Sequence, residues 1–327
     1  MRLLVTGGTG FIGAPVCRAL AAHGHTLIVL TRLPQARTKP PGVQALGWDS
    51  PEWPRAMAHV DGVIHLAGES IAGKRWMPRR KELIRTSRVQ TTGRLVEAMA
   101  SHPMRPAVLV NASAIGYYGP RGDEELREEE KPGKGFLAEL CQAWEAEAQR
   151  AEPLGVRVVR LRIGLVLGPG GGALAKMVPP FRWCVGGPLG TGRQWVSWIH
   201  LDDVIGLIEW TLRSPHVSGA VNATAPQPVT MKTLAQELGR AMRRPAAMPV
   251  PGVILRLAFG EMADLLLTGQ RVLPNRALSG GYLFHFPTLA PALKACLAGA
   301  ESGRRGTRHT AGLPQDGQKL SPADLVS

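Results

Sequence analysis

Three glycines near the amino terminus have the spacing of a phosphate-binding turn. Gly7, Gly10 and Gly13 directly follow a short apolar run that ends at Thr6. In such a turn the first glycine allows a tight bend, the second lets a pyrophosphate approach the backbone, and the third lets the next helix pack closely. The start of that helix adds N–H groups and a positive dipole end. The motif therefore predicts dinucleotide binding, and a structural turn without a ligand is the alternative.

The end of the second predicted strand indicates which dinucleotide to expect. Sites of this type that bind NAD place Asp or Glu there, where the carboxylate accepts a hydrogen bond from the adenosine ribose. This chain has Thr31 and Arg32 instead. Because a guanidinium pairs well with a 2′-phosphate, we expect NADP rather than NAD. The alternative is that Arg32 is an exposed loop residue.

The order of the elements predicts the frame that holds these residues. Apolar runs alternate with segments of helical periodicity through the first half of the chain, as in βαβ units. The predicted fold class is α/β, a Rossmann-type doubly wound parallel sheet with a smaller C-terminal substrate lobe. The main predicted strands are 2–6, 26–31, 62–67, 107–112 and 156–163, and the main predicted helices are 79–100 and 136–152.

Glycine- and proline-rich segments after residue 167 mark a change of domain. Long irregular loops in a compact protein are more often functional than not. We expect residues 1–170, completed by 198–222, to form the NADP-binding Rossmann domain and residues 171–298 to form the substrate lobe. Residues 299–327 have few large apolar groups and are expected to be a disordered tail.

The composition is typical of a soluble globular protein, with 44% hydrophobic and 20% charged residues. The start of the chain lacks the apolar core of a secretory signal, and no run is long enough to span a bilayer. Four widely separated cysteines suggest neither a disulfide framework nor a zinc site. We expect a cytoplasmic protein without a metal site or a membrane partner.

The formal net charge of +14 raises the question of nucleic-acid binding. Basic residues are densest between 74 and 94, but neither helix-turn-helix nor zinc-finger spacing is present. We therefore do not expect a nucleic-acid partner. The stretch is interpreted as a solvated helix face or as a surface that attracts anionic cofactor and substrate.

One stripe of the helix predicted at 79–100 carries a charge among inward-facing positions. Ile84, Arg88, Thr91 and Leu95 recur at helical spacing. A fixed charge on such a stripe needs an anionic partner or a run of acceptors. The expected partner of Arg88 is either a cofactor group beside the sheet or a carboxylate of the protein itself.

Ordered sequence runs along residues 1–298 resemble one family closely. The chain is similar to the extended, epimerase-like branch of the short-chain dehydrogenase/reductases, and within it to the epimerase family proteins that carry a C-terminal domain of unknown function. The matching runs include Val63-Ile64-His65-Leu66-Ala67-Gly68-Glu69, Ser113-Ala114-Ile115-Gly116-Tyr117-Tyr118-Gly119, Trp198-Ile199-His200-Leu201-Asp202-Asp203 and Gly280-Gly281-Tyr282.

This resemblance implies an NADP site and assigns residues to it. Thr31, Arg32 and the Leu66-Ala67 pair would flank the adenosine half, while Arg88 and Val166 would lie nearer the nicotinamide. The complete expected set is Gly7, Gly10, Phe11, Ile12, Gly13, Thr31, Arg32, Leu66, Ala67, Arg88 and Val166. The resemblance implies no particular substrate.

The catalytic residues of the wider superfamily are only partly present. There a tyrosine acts as acid or base on the substrate oxygen, a lysine four residues later lowers its pKa, and a serine orients the carbonyl. None of the three tyrosines of this chain is followed by lysine at that spacing. Ser113 is the expected serine, and Tyr117 and Tyr118 are candidate acids. An aromatic wall for nicotinamide or substrate explains the paired tyrosines equally well.

Three further features have two interpretations each. Glu69, just past a strand end, is a candidate acid or base or a loop hydrogen-bonding residue. The segment 186–198, with Arg193, Gln194, Trp195 and Trp198, would either clamp a substrate or pack in the lobe interface. Asp203 precedes a helical run and is expected to be its N-cap.

Two functions therefore remain open. The first is an NADP-dependent oxidoreductase or epimerase-like enzyme for a small carbonyl, alcohol or nucleotide-linked sugar. The second is a sensor or scaffold that binds NADP without turnover, because the tyrosine–lysine pair is missing. The expected partner is a small-molecule substrate, and the sequence does not determine the oligomeric state.

Overall fold

The computed structural model describes residues 1–32, 34 and 43–308, with side chains to residue 299. Its strands are β1 (Arg2–Thr6), β2 (Thr26–Thr31), β3 (Val43–Gly47), β4 (Gly62–His65), β5 (Val108–Ala114), β6 (Glu125–Leu126), β7 (Arg157–Ile163), β8 (Leu165–Leu167), β9 (Trp195–Val196), β10 (Trp198–His200), β11 (Gly219–Ala223), β12 (Val229–Thr230) and β13 (Arg271–Val272). Its helices are α1 (Gly13–Ala22), α2 (Glu52–Ala56), α3 (Pro78–Ala100), α4 (Phe136–Gln149), α5 (Gly172–Arg182), α6 (Leu201–Arg213), α7 (Met231–Met242), α8 (Gly252–Phe259), α9 (Asp264–Leu267), α10 (Asn275–Ser279) and α11 (Leu289–Arg308).

Seven strands form one sheet in the order β11-β7-β5-β4-β1-β2-β3. Every pair in it is parallel, so the carboxyl ends of the strands meet at one edge. The predicted Rossmann-type fold class is confirmed. Strand order reverses beside β1, between β2 and β4, and ligands of such sheets bind outside the carboxyl ends at this point.

Alternating side chains along the strands divide the core between the two faces of the sheet. Leu3 and Val5 face a cluster formed with α1 and α6. Leu4, between them, faces the opposite cluster, which is formed with α2, α3 and α4. Burying each of these leucines contributes roughly 1.5–3 kcal/mol. Both faces of the sheet are covered, so only its ends are open to a ligand.

A third cluster is the core of the C-terminal lobe. Helices α5, α7 and α11 surround the fully buried Trp198. Short strands connect the lobe to the rest of the chain, because β13 pairs with β6 and β10 pairs with β8. Within 198–222, α6 packs on the sheet and β11 begins to extend it beside β7.

Some elements lie where the sequence pattern gave no prediction. β3 has only weak alternation, and its pairing with β2 (Leu27 opposite Val43) places it in the sheet. α11 runs to Arg308, so the backbone at the start of the predicted tail is helical; residues 309–327 lie outside the described residues. Among the described helices, none is both long and apolar enough to cross a membrane.

Candidate cofactor site and its crevice

The glycine turn is tight enough to require its glycines. Gly7 has φ +69°, and a Cβ there would lie 2.6 Å from the carbonyl oxygen of Leu66. A Cβ at Gly13 would lie 2.1 Å from the carbonyl oxygen of Gly7. The turn after β1, the first residue of α1 and the segment after β4 therefore touch through their backbones.

Several backbone N–H groups of this turn have no acceptor among the described residues. Gly10 N–H bonds to the Gly7 carbonyl, and the first helical bond runs from Ala14 N–H to the Gly10 carbonyl. Across the described residues, no acceptor is recorded for the backbone N–H groups of Phe11, Ile12 and Gly13. α1 also lacks a side-chain cap and an acidic residue in its first turn. Unpaired donors at a helix start fit a diphosphate.

The predicted contacts around this turn lie together in the structure. Phe11, Ile12 and Leu66 pack against the core cluster that contains Val166. The Phe11 ring lies against the loop before α5, where a Cβ at Gly171 would come within 2.3 Å of it. The turn is thereby joined to the start of the segment predicted as the substrate lobe.

The predicted 2′-phosphate arginine is exposed at the carboxyl end of β2. Thr31 is buried, whereas the side chain of Arg32 is 87% exposed. Arg32 Nη1 lies 3.8 Å from Glu69 Oε2, and Glu69 Oε1 accepts a hydrogen bond from Arg80 at 3.0 Å. Glu69 is therefore an ion-pair partner of two arginines, which agrees with its predicted role as a hydrogen-bonding loop residue.

A buried histidine orders the end of β4. His65 Nδ1 lies 2.5 Å from Thr6 Oγ1, which also accepts a hydrogen bond from the Ala67 N–H. Thr6 Oγ1 and His65 Nδ1 share one proton between them, and Nε2 faces Thr91 Oγ1 at 3.5 Å. Burial, and then the charge of Arg88, lowers the pKa of His65 to about 3. A neutral imidazole thus holds Ala67 in place.

Arg88 lies against the segment after β4. A Cβ at Gly68 would lie 3.0 Å from its Cζ, and its guanidinium lies 5.2 Å from the centroid of the Trp144 ring. Arg88 donates a hydrogen bond to the Ile84 carbonyl at 3.1 Å, while no carboxylate in the described ranges forms an ion pair with it. Burial lowers its pKa. Within the described ranges, the protein carboxylate that was one of its two predicted partners does not lie at ion-pair distance.

Ser113 belongs to a buried ionic network. Its Oγ donates to Glu145 Oε1 at 2.7 Å, and Arg162 binds both oxygens of that carboxylate at 2.8 and 2.9 Å. Arg162 also donates to the hydroxyl of Tyr118, which in turn donates to Asn222. Burial opposes the charge of Arg162, but the hydrogen bonds and charge of Glu145 raise its pKa above the usual value. The Ser113 proton is therefore directed at Glu145.

The paired tyrosines have different environments. Tyr118 is fully buried, and burial raises its pKa to about 12. Its occupied hydroxyl favours a structural role. Tyr117 is half-buried, and the centroid of its ring lies 3.5 Å from Arg162 Cζ. Its hydroxyl has no hydrogen-bond partner among the described residues. A catalytic role for Ser113, Tyr117 or Tyr118 stays a prediction.

The helix that carries the tyrosine–lysine pair in the superfamily offers neither group here. α4 places Leu137 against Gly116, where a Cβ would lie 3.2 Å from the leucine Cβ. Cys141 lies on the same side, and burial raises its pKa to about 12. This face of α4 is apolar and holds a protonated thiol.

The prediction that Asp203 is an N-cap is wrong. The cap of α6 is His200, whose Nδ1 accepts the Asp202 N–H. Asp203 is fully buried inside the helix and accepts the backbone N–H groups of His285 and Phe286. The error arises because the helix starts about one turn earlier than predicted: Trp198-Ile199-His200 is a strand, and α6 begins directly after it.

The two tryptophans of the predicted clamp have different environments, and each fits a different one of the two interpretations. Trp198 is fully buried and donates to the Gln227 carbonyl, which is the packed-core alternative. Trp195 is half-buried and donates to Asp123 Oδ1 at 2.6 Å, while Arg193 is exposed. No group of three metal-ligating side chains occurs in the described ranges.

Sheet, glycine turn and crevice define a dinucleotide-binding α/β protein, and comparison with known families agrees. The chain belongs to the NAD dependent epimerase/dehydratase family, whose model matches residues 3–223. A domain of unknown function, DUF1731, matches residues 250–296.

Relatives extend the similarity over most of the chain. It is 41% identical over 305 residues to the chloroplastic epimerase family protein SDR39U1 homolog of Arabidopsis thaliana, covering 91% of this chain and 87% of that protein. It is 37% identical over 304 residues to the epimerase family protein YfhF of Bacillus subtilis, with coverages of 91% and 98%. The crystal structure of human epimerase family protein SDR39U1 (isoform 2) with NADPH superposes with a TM-score of 0.82 at 37% identity, covering 92% of this chain and 99% of that one.

Sequence reasoning missed the residues that hold the site together. Glu145 lies in α4 and Arg162 in β7, at inward positions that are otherwise apolar. One charge of each sign at such positions is the sequence signal that could have revealed the pair. His65 stands inside the quoted run 63–69, but its role depends on Thr6 of a neighbouring strand.

Proposed function

We propose that this chain binds NADP(H) at the carboxyl edge of its sheet. The observation that carries the proposal is the row of backbone N–H groups from Phe11 to Gly13, which find no acceptor in the part of the chain that the structure describes. The human relative, whose crystal structure contains NADPH, supports it. The diphosphate would lie on this turn, with the glycines keeping side chains out of its way.

The remaining predicted contacts fit the two ends of the dinucleotide. Thr31, Arg32 and the Leu66-Ala67 backbone flank the glycine turn at the proposed adenosine end. Arg88, which has no carboxylate partner in the described ranges, and Val166 would serve the nicotinamide end. A buried guanidinium with spare donors favours a polar or anionic group there.

We propose further that the protein is an oxidoreductase or epimerase-like enzyme for a small carbonyl, alcohol or nucleotide-linked sugar. The reduced nicotinamide supplies a hydride when it is bound. The Tyr117 hydroxyl, without a partner in the described residues, would hold and transfer the proton of the substrate oxygen. Arg162, 3.5 Å from that ring, would favour negative charge on it.

A second function is favoured by a specific observation. α4 presents Leu137 and Cys141 where a phenol and an ammonium would be needed, and Ser113 donates its proton to Glu145 rather than to the crevice. A protein that binds NADP(H) and responds in stability or partner binding, without turnover, would need none of those groups.

We propose a small molecule as the partner, in the cytoplasm, with neither nucleic acid nor a membrane involved. Some side chains of the basic stretch 74–94 have partners within the protein: Lys81 pairs with Glu261, and Arg94 packs against Trp48 and Trp53. Contacts of this kind leave less charge free for phosphates.

Binding and turnover need separate experiments. Titration calorimetry with NADPH and NADH is expected to show tighter binding of NADPH, and Arg32→Ala should remove that preference while leaving the melting temperature unchanged. Folded wild-type protein that ignores both dinucleotides would refute the proposal.

Turnover distinguishes enzyme from sensor. Oxidation of NADPH is followed over a panel of carbonyl compounds and nucleotide-linked sugar ketones. The enzyme interpretation predicts that Tyr117→Phe abolishes turnover at constant melting temperature, whereas Tyr118→Phe mainly lowers the melting temperature. Saturated, folded protein that never oxidises NADPH would favour the sensor.

A further inference from the structure

Glu69 holds its carboxylate between two arginines at the edge of the proposed adenosine end. Its Oε1 accepts a hydrogen bond from Arg80 Nη1 at 3.0 Å, and its Oε2 lies 3.8 Å from Arg32 Nη1. Its own N–H donates to Ser87 Oγ at 3.0 Å. The carboxylate is therefore anchored to the start of α3 and directed across at Arg32.

The two contacts differ in strength. The Arg80 side chain is only 14% exposed and also donates to the Ser70 carbonyl, so this side of Glu69 is fixed. The Arg32 side chain is 87% exposed, and 3.8 Å exceeds hydrogen-bond length. An exposed pair of this kind contributes little and can be exchanged for a better acceptor.

The topology puts this pair on both sides of the glycine turn. Arg32 follows β2 and Glu69 follows β4, and both strands pair with β1, which leads into Gly7. The two guanidiniums and one carboxylate sum to a single positive charge. A 2′-phosphate would bring about two negative charges to Arg32, beside a carboxylate that repels it.

We propose that Glu69 determines how strongly the site prefers a phosphorylated over an unphosphorylated dinucleotide, by competing with the 2′-phosphate for Arg32. This rests on the proposed binding of NADP(H). With NADPH, Arg32 turns from Glu69 to the phosphate, and the carboxylate weakens that contact. With NADH, the free carboxylate oxygen accepts a ribose hydroxyl, which supports binding of the unphosphorylated cofactor.

The test is calorimetry of the full chain with NADPH and NADH for wild type, Glu69→Gln and Glu82→Gln. Glu82 is exposed on α3 and accepts a hydrogen bond only from Thr86 among the described residues, so this control loses the same charge elsewhere. Glu69→Gln is expected to raise the ratio of NADPH to NADH affinity roughly fivefold. The control should leave the ratio unchanged, and the effect should shrink in high salt.

A double variant tests whether Glu69 acts on the affinity ratio through Arg32. In an Arg32→Gln background, Glu69→Gln should change the ratio less than it does in wild type, because the competition for the guanidinium is gone and only the repulsion of the phosphate and the ribose contact remain. Glu69→Ala gives the same expected direction if the amide is not tolerated beside Arg80. A ratio that stays the same or falls in folded Glu69 variants would overturn the inference alone, whereas wild type that binds neither dinucleotide would overturn the proposed function with it.

Discussion

The ring of Phe11 lies directly against the backbone of Gly171, close enough that a Cβ at Gly171 would fall 2.3 Å from Phe11 Cδ2. This contact joins the glycine turn after β1 to the residue that caps α5. We therefore expect a change in the loop before α5 to affect the turn whose N–H groups are proposed to bind a diphosphate.

Gly171→Ala is expected to displace Phe11 and to lower both stability and NADPH affinity. Gly171 has an extended φ of −155° that alanine adopts freely, so the cost comes from overpacking, about 1–3 kcal/mol. The matched control is Gly170→Ala, where φ is +70° but nothing lies within 4 Å of the new Cβ. It should cost about 1 kcal/mol of backbone strain and leave NADPH affinity intact. Equal losses of affinity in both variants would contradict the coupling.

Glu145→Gln is expected to destabilise the protein strongly. Arg162 is 2% exposed, and without the carboxylate it would remain as a buried charge that lacks its ion-pair partner. Breaking such a pair costs about 3–5 kcal/mol. Chemical denaturation measures this, with Glu147→Gln on the same helix as the control. Glu147 pairs with Arg150, whose side chain is 55% exposed, so its loss should cost under about 1 kcal/mol. Similar midpoints for the two variants would show that the network is not stabilising.

Asp203→Asn is expected to loosen the segment that follows α10. The carboxylate accepts the N–H groups of His285 and Phe286 with different oxygens, and an amide has only one oxygen to offer. We expect faster hydrogen exchange at these two amides and a loss of about 2 kcal/mol. Asp202→Asn, whose side chain is 58% exposed, is the control. Unchanged exchange at 285 and 286 would remove this role of Asp203.

His65 should make the protein less stable in mild acid. The pKa of its imidazole is about 3 in the folded protein against a usual value of 6.5, so between these values the unfolded chain binds more protons. Stability from the neutral imidazole is complete above pH 6.5 and declines as the pH falls toward 3, by about 2 kcal/mol at pH 5. Denaturation midpoints from pH 7 to 5 should fall less steeply in His65→Gln than in wild type. His216→Gln, at an exposed loop position, should keep the wild-type slope, and a wild-type slope in His65→Gln would count against a buried neutral histidine.

The first half of the fold was predictable because its signals are local. Strands β1 and β2 have the predicted bounds, since buried parallel strands are short apolar runs whose ends are marked by glycine or a charge. α3 and α4 also start within a residue of their predicted positions. β3 and β6 were missed, because each is held by a neighbouring strand rather than by its own pattern.

The sequence by itself determined the glycine turn, since the close approach of α1 to the turn involves residues near each other in the chain: a Cβ at Gly13 would lie 2.1 Å from the carbonyl oxygen of Gly7. Only the tertiary structure decided the roles of the charged and polar residues. Asp203 became an anchor rather than a cap, Ser113 gave its proton to Glu145, and Glu69 came between Arg32 and Arg80. Backbone geometry depends on residues next to each other in the chain, whereas the partner of a charge is chosen by which strands and helices meet.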